Sequence, residues 1–208
     1  MLLPGSWTRS FLLNLTDMEP TTAPAKPQFS EAAKAEIARI CKQYPEERRK
    51  SALLPVLHIA QAEFGGWVSP EVQDLVAEVL GLAPIEVYEV STFYTMFNLK
   101  PVGKHVLEIC RTGPCMLRGS DELTAHLERI TGAKVGGPPS EDGLFTLKEV
   151  ECLAACGFAP IVQVREKYYE QLDTQEAVDA MLLELRNQVH RPALPWEETG
   201  LPNALANN

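Results

Sequence analysis

Four of the five cysteines fall in two close pairs. Cys110 and Cys115 form C-x4-C, and Cys152 and Cys156 form C-x3-C, with residues 116 to 151 between them. Each pair can present two thiolates from one loop. Each also follows a predicted strand end, where neighbouring loops of a sheet converge. Four thiolates suit either a binuclear iron–sulfur cluster or a tetrahedral zinc. The spacers, Arg111 to Pro114 and Leu153 to Ala155, are mostly small or apolar. Structural zinc sites more often use two-residue spacers. The loops therefore favour a [2Fe-2S] cluster, with zinc or a disulfide as the alternatives. Gly113 and Gly157 are expected to let backbone N–H groups approach the sulfurs. Arg111 and Arg118 flank the first pair, either as charge compensation for an anionic cluster or as solvated surface arginines.

The remaining reactive side chains point to no chemistry. Cys41 falls on the apolar face of a predicted helix and reads as a core residue. His58, His105, His126 and His190 are scattered over helical and strand positions. The glycines form neither G-x-G-x-x-G nor a P-loop, and G-x-S-x-G is missing. No catalytic residue is nominated: the chemistry open to this chain by itself is electron transfer.

These residues need elements to position them. Ser30 reads as an N-cap, with Ile37, Ile40, Cys41 and Tyr44 on one helical face and Pro45 as the stop. A second helical stretch covers 46 to 64, with Pro55 as a kink or late start and Gly65-Gly66 as the end. Ser69-Pro70 opens a third helix closed by Gly81, and Pro84 opens a fourth reaching Phe93. The pattern changes at Pro101. Strands are predicted at 105–110 and 145–152, with a helix between them capped by Ser120 and carrying Leu123, His126, Leu127 and Ile130. A hairpin of 161–164 and 168–172 turns at Glu166-Lys167, and Thr174 caps a last helix. The reading is α+β: a helical module over 30–100, then an α/β domain over 101–190 with a mixed sheet. Residues 1–29 read as a flexible Pro-rich leader and 191–208 as a loose tail.

The 208 residues carry 45% hydrophobic and 23% charged side chains, enough apolar content for a packed core. The net charge of −9 argues against nucleic acid as a partner. No apolar run approaches a membrane span, and Phe11-Leu12-Leu13 is too short for a signal-peptide core. Arg9, the early hydroxyls and the absence of acids before Asp17 give a faint organelle-transit character, with Met18 as a second candidate start.

Two motif stretches carry a resemblance. Cys110-Arg111-Thr112-Gly113-Pro114-Cys115 with Arg118-Gly119, and Asp142 to Leu147 running into Glu149-Val150-Glu151-Cys152-Leu153-Ala154-Ala155-Cys156, resemble the 24-kDa-type subunit family of respiratory complex I, NADH:quinone oxidoreductase. Gly65-Gly66-Trp67-Val68 and Val90 to Phe97 resemble the same family. The resemblance runs from about Ser30 to Gln188. It implies a helical region before a thioredoxin-like domain that holds one [2Fe-2S] cluster through Cys110, Cys115, Cys152 and Cys156. It implies a partner subunit carrying FMN and binding NADH, and further peripheral-arm subunits of the complex. It also implies a place at the cytoplasmic inner face of the membrane, or the matrix side in a mitochondrion. Equivalent subunits serve NAD-reducing hydrogenases and NAD-dependent formate dehydrogenases. A zinc-stabilised interaction module is the reading from a different class, and a free-standing thioredoxin-like ferredoxin a third; the helical module, which suggests docking, argues against the latter.

Overall fold

The structure, a computed structural model, describes residues 26–188. The expected leader therefore lies outside the described residues up to position 25, and the expected tail lies outside them altogether.

The first half is helical because caps and breakers fall at regular intervals. Ser30 caps α1 (Glu31–Cys41) by accepting the Ala33 N–H, a contact worth about 1 kcal/mol. Order begins before Ser30: Phe29 is buried, with its ring 5.5 Å from that of Phe64. A 3₁₀ stretch (Glu46–Ala52) leads into α2 (Leu53–Glu63). Pro55 sits in the first turn of α2, where a missing N–H costs nothing, so the helix starts late rather than kinking. Ser69 caps α3 (Pro70–Leu80), and Gly81 ends it in the left-handed conformation. The fourth helix, α4 (Pro84–Phe93), is held at its start by the Glu86 carboxylate accepting the Ala83 N–H at 3.0 Å. Together these helices bury a core that includes Ile37, Leu53, Val56, Leu57, Val76 and Val87.

The second half is built on four strands: β1 (His105–Cys110), β2 (Phe145–Val150), β3 (Val162–Val164) and β4 (Lys167–Tyr169). Their order is β2-β1-β3-β4, with β1 and β2 parallel and the other pairings antiparallel. Three helices accompany the sheet: α5 (Gly113–Leu117), α6 (Ser120–Thr131) and α7 (Gln175–Asn187). A second core joins Leu107, Ile109, Phe145 and Leu147 of the sheet to Leu123 and Leu127 of α6 and to Val178, Met181, Leu182 and Leu185 of α7.

Several boundaries differ from the sequence reading, each for a local reason. The β2 strand stops at Val150 instead of Cys152, because its ladder with β1 ends at Cys110↔Val150. The hairpin turns one residue earlier than expected, with Arg165 in the left-handed region at φ 55°. Tyr169 ends β4, because Gln171 and Leu172 turn away and donate to the carbonyls of Phe158 (2.8 Å) and Pro160 (3.1 Å). Ser120 is the first residue of α6 rather than its cap. The short α5, which the sequence reading missed, runs straight into it through a left-handed Gly119. Ile130 lies on the exposed side of α6, whose buried stripe continues to Thr131 instead.

Candidate metal centre

Parallel pairing of β1 with β2 decides where the cysteines meet. Cys110 closes β1 directly opposite Val150, and the Arg111 N–H donates to the Val150 carbonyl at 3.2 Å. The chain after each strand therefore leaves from the same end of the sheet. Cys115 follows Cys110 on α5, Cys152 follows β2 in the loop, and Cys156 begins a 3₁₀ turn (Cys156–Phe158). On its other side β1 meets the segment leading into β3, where the Cys110 N–H donates to the Ile161 carbonyl at 3.2 Å. Cys110 and Cys115 are buried and pack with Ala159 and Ile161, while Leu153 and Ala155 cover them in part. Cys152 and Cys156 remain exposed at the rim.

The electrostatics of the four thiols are linked. Burial acts to raise the Cys110 thiol, but it is outweighed. The N–H groups of Thr112 and Leu153, the Cys115 thiol and the Thr112 hydroxyl together hold Cys110 below its ordinary value. The Leu153 donor belongs to the second loop, so the two loops interlock through sulfur. Cys115 is pushed up to about 11, first by burial and then by the neighbouring Cys110, against the help of the Ile161 N–H. Cys156 is also raised, by desolvation first and then by Cys152 and Cys110. The Ala154 N–H donates to the Cys152 sulfur at 3.3 Å. One thiolate forms readily and discourages the rest; a cation bound among them removes that conflict and displaces the remaining protons.

The backbone N–H groups that favour the thiolates are those of Thr112, Leu153 and Ile161, with the own N–H of Cys156, while the Ala154 N–H is hydrogen-bonded to Cys152. Gly113 and Gly157, expected in that role, have open space where a Cβ would sit. Neither position needs glycine to avoid a clash. Ala154 is the residue in the left-handed region, at φ 60°.

The two flanking arginines are already paired. Arg111 bridges Glu149 at 2.8 Å and Asp121 at 3.2 Å, tying the first loop to β2 and α6. Arg118 reaches Asp173 at 2.5 Å, tying the end of α5 to the approach of α7. Both brace the loops, and their charges are matched by carboxylates. Cys41 lies on α1 against the helical core, apart from the other thiols. His58 tilts against Phe97 at 5.0 Å, His105 is buried on β1, and His126 is held between Asp179 (2.9 Å) and Arg129 (2.5 Å). His190 lies outside the described residues.

Among the described residues, no three His, Cys, Asp or Glu side chains are drawn together around a single-ion site. The four cysteines come as two pairs, one on each loop. Four soft thiol donors, one of them already accepting the Ala154 N–H, are a donor set that fits an iron–sulfur cluster.

A family model described as thioredoxin-like [2Fe-2S] ferredoxin matches residues 37–186. An NADH-quinone oxidoreductase subunit of Rickettsia conorii is 46% identical over 148 residues, covering 71% of this chain and 87% of its own length. The mitochondrial NADH dehydrogenase [ubiquinone] flavoprotein 2 of Dictyostelium discoideum is 39% identical over 173 residues, covering 79% of this chain and 69% of its own length. Among solved structures, the NAD+-reducing [NiFe]-hydrogenase in the H2-reduced state aligns with a TM-score of 0.57 at 19% identity. That alignment covers 70% of this chain but 24% of the hydrogenase chain, and it is a likeness of fold.

Proposed function

This chain belongs to the thioredoxin-like [2Fe-2S] ferredoxin family, alongside its relatives in NADH-quinone oxidoreductase, and from that premise we propose that it is the corresponding electron-transfer subunit. It would hold one [2Fe-2S] cluster through Cys110, Cys115, Cys152 and Cys156. A bound cluster of this type takes up and releases one electron at a time. The electron partner is the FMN of a second subunit, the one that binds NADH. The chain sits with the other peripheral-arm subunits on the cytoplasmic side of the membrane. Among its described residues no helix is long and apolar enough to cross a bilayer.

One observation carries this reading: β1 and β2 run parallel up to the Cys110↔Val150 pair, so the loop with Cys110 and Cys115 and the loop with Cys152 and Cys156 leave the same end of the sheet. The chain itself does three things for the cluster. It gathers the thiols, supplies N–H donors to their sulfurs, and keeps two of the four away from water. A single structural zinc would want all four sulfurs about 2.3 Å from one point. Two pairs on two loops also suit two irons, and the family match favours the cluster. The hydrogenase and formate dehydrogenase alternatives gain nothing comparable. The hydrogenase reading has a fold likeness at 19% identity, against 39% and 46% for the NADH dehydrogenase relatives.

The full chain purified without oxygen is expected to be red-brown, with visible charge-transfer absorption and two irons and two acid-labile sulfides per chain. With the flavin-bearing subunit added, NADH should bleach that absorption; without it, NADH should not. A colourless protein holding stoichiometric zinc overturns the proposal.

A further inference from the structure

Thr112 stands two residues after Cys110 and is the N-cap of α5. A threonine at that position ordinarily turns its hydroxyl onto the N–H of the second or third helical residue. Here the side chain makes no capping bond. Its Oγ1 is buried and completes no hydrogen bond of ordinary geometry. A buried hydroxyl left without a partner costs about 1–3 kcal/mol. Capping α5 or reaching water would avoid that cost, and this side chain does neither. It stays buried inside the first cysteine loop, two residues along from Cys110 and near its sulfur. The Thr112 backbone N–H is aimed at the same sulfur. One residue thus brings two donors near one sulfur, and the hydroxyl is the buried one left without a partner.

We propose that Thr112 is a positioning residue for the cluster, its hydroxyl donating a hydrogen bond to the Cys110 sulfur once that sulfur binds iron. This rests on the cluster assignment above. An iron-bound thiolate carries negative charge, and that charge grows when the site gains an electron. A donor aimed at it therefore stabilises the reduced state more than the oxidised one and raises the reduction potential. Hydrogen bonds to sulfur are among the levers by which a protein sets the potential of such a site. The role belongs to the hydroxyl and not to the bulk of the side chain. Thr112→Val keeps the branched shape and removes the donor, while Thr112→Ser keeps the donor and removes a methyl.

The test is a spectroscopic redox titration of the full chain, followed by visible absorption and by the paramagnetic signal of the reduced state. Wild type, Thr112→Val, Thr112→Ala and Thr112→Ser are compared at equal iron content. Removing the hydroxyl should lower the reduced-to-oxidised ratio at fixed ambient potential about fivefold. That corresponds to a midpoint shift of about 40 mV to more negative values for one electron. Ser should stay within about 10 mV of wild type, while Val and Ala move together. Equal potentials in all four proteins overturn the inference. So does a serine variant that shifts with valine, since that assigns the effect to packing. If Thr112→Val loads poorly, the alanine and serine pair decides the matter by itself. A wild-type chain with no iron overturns the cluster assignment instead, so the two failures are distinguishable.

Discussion

At the scale of single residues, the cysteines were the legible part of this chain. Their spacing named a thiolate site, and the parallel register of β1 and β2 sends the two cysteine loops off the same end of the sheet. Which donors surround them was not legible. Glycines were the natural guess for close N–H approach, yet the donors come from Thr112, Leu153, Ala154 and Ile161. Any non-proline residue carries an N–H, so the sequence offers no mark for the ones that point inward. The Thr112 side chain was hidden for a related reason: its residue type fits a helix cap equally well. Loss of ligands gives the sharpest test at this scale. Cys115→Ala and Cys156→Ala should each remove all or nearly all of the iron and the visible absorption, because each takes away one of the four proposed thiolate ligands. Cys41→Ala should leave both unchanged, since Cys41 packs on the helical core. Equal iron loss from Cys41→Ala would undo the assignment.

At the scale of elements, caps were legible and contacts between elements were not. Ser30, Ser69 and Thr174 each cap the helix that the sequence assigned to them. Ser120 does not, because a neighbouring five-residue helix, too short to show a periodic pattern, fixes the chain just before it. The turn leading into β2 shows how one carboxylate organises such a boundary. Asp142 accepts hydrogen bonds from the Ser140 hydroxyl, from the Leu144 N–H at 3.0 Å and from Arg186 of α7 at 2.9 Å. These partners, Ser140 foremost, hold its carboxyl below the usual carboxylate range. A depressed folded pKa favours the ionised form in the native state. The stabilisation is therefore complete above the unfolded value of about 4, and it fades as the pH falls through the lower folded value. Asp142→Asn should cost about 1 kcal/mol at pH 7, a figure already reduced for the exposure of the group. Below about pH 4 the gap to wild type should narrow. Urea unfolding at about pH 7 and pH 3 measures it, and a gap unchanged by pH would show that charge is not the cause.

At the scale of the whole molecule, the helical core and the sheet core are separate, and polar contacts join them. Lys148 of β2 donates to the Thr95 carbonyl, while Gln61 and Asn98 fasten the chain after α4 back onto α2 and the turn beyond it. Trp67, Phe93, Tyr94, Met96 and Phe97 make a bulky apolar set in the helical module. The structure divides that set. Phe97 is buried against His58, and Trp67 is half-buried, whereas Phe93 is 76% exposed with Tyr94, Met96 and Leu99 exposed near it in sequence. Alternation in a segment after a helix end gives no period from which inward and outward side chains could be told apart. The exposed members have no role in the helical core or at the cysteines, and exposed aromatic and methionine side chains are typical of interface centres. The proposed occupant is the flavin-bearing subunit, because the relatives at 39% and 46% identity are themselves subunits of larger NADH dehydrogenases. Phe93→Ser combined with Leu99→Ser removes apolar area from the outside and should leave folding and the visible spectrum intact. Affinity for the flavin subunit should fall at least tenfold, or about 1.4 kcal/mol, by titration of one purified subunit into the other. Undiminished affinity would assign docking to the other exposed apolar side chains, Met116, Leu117 and Phe158, which sit on the cysteine loops themselves.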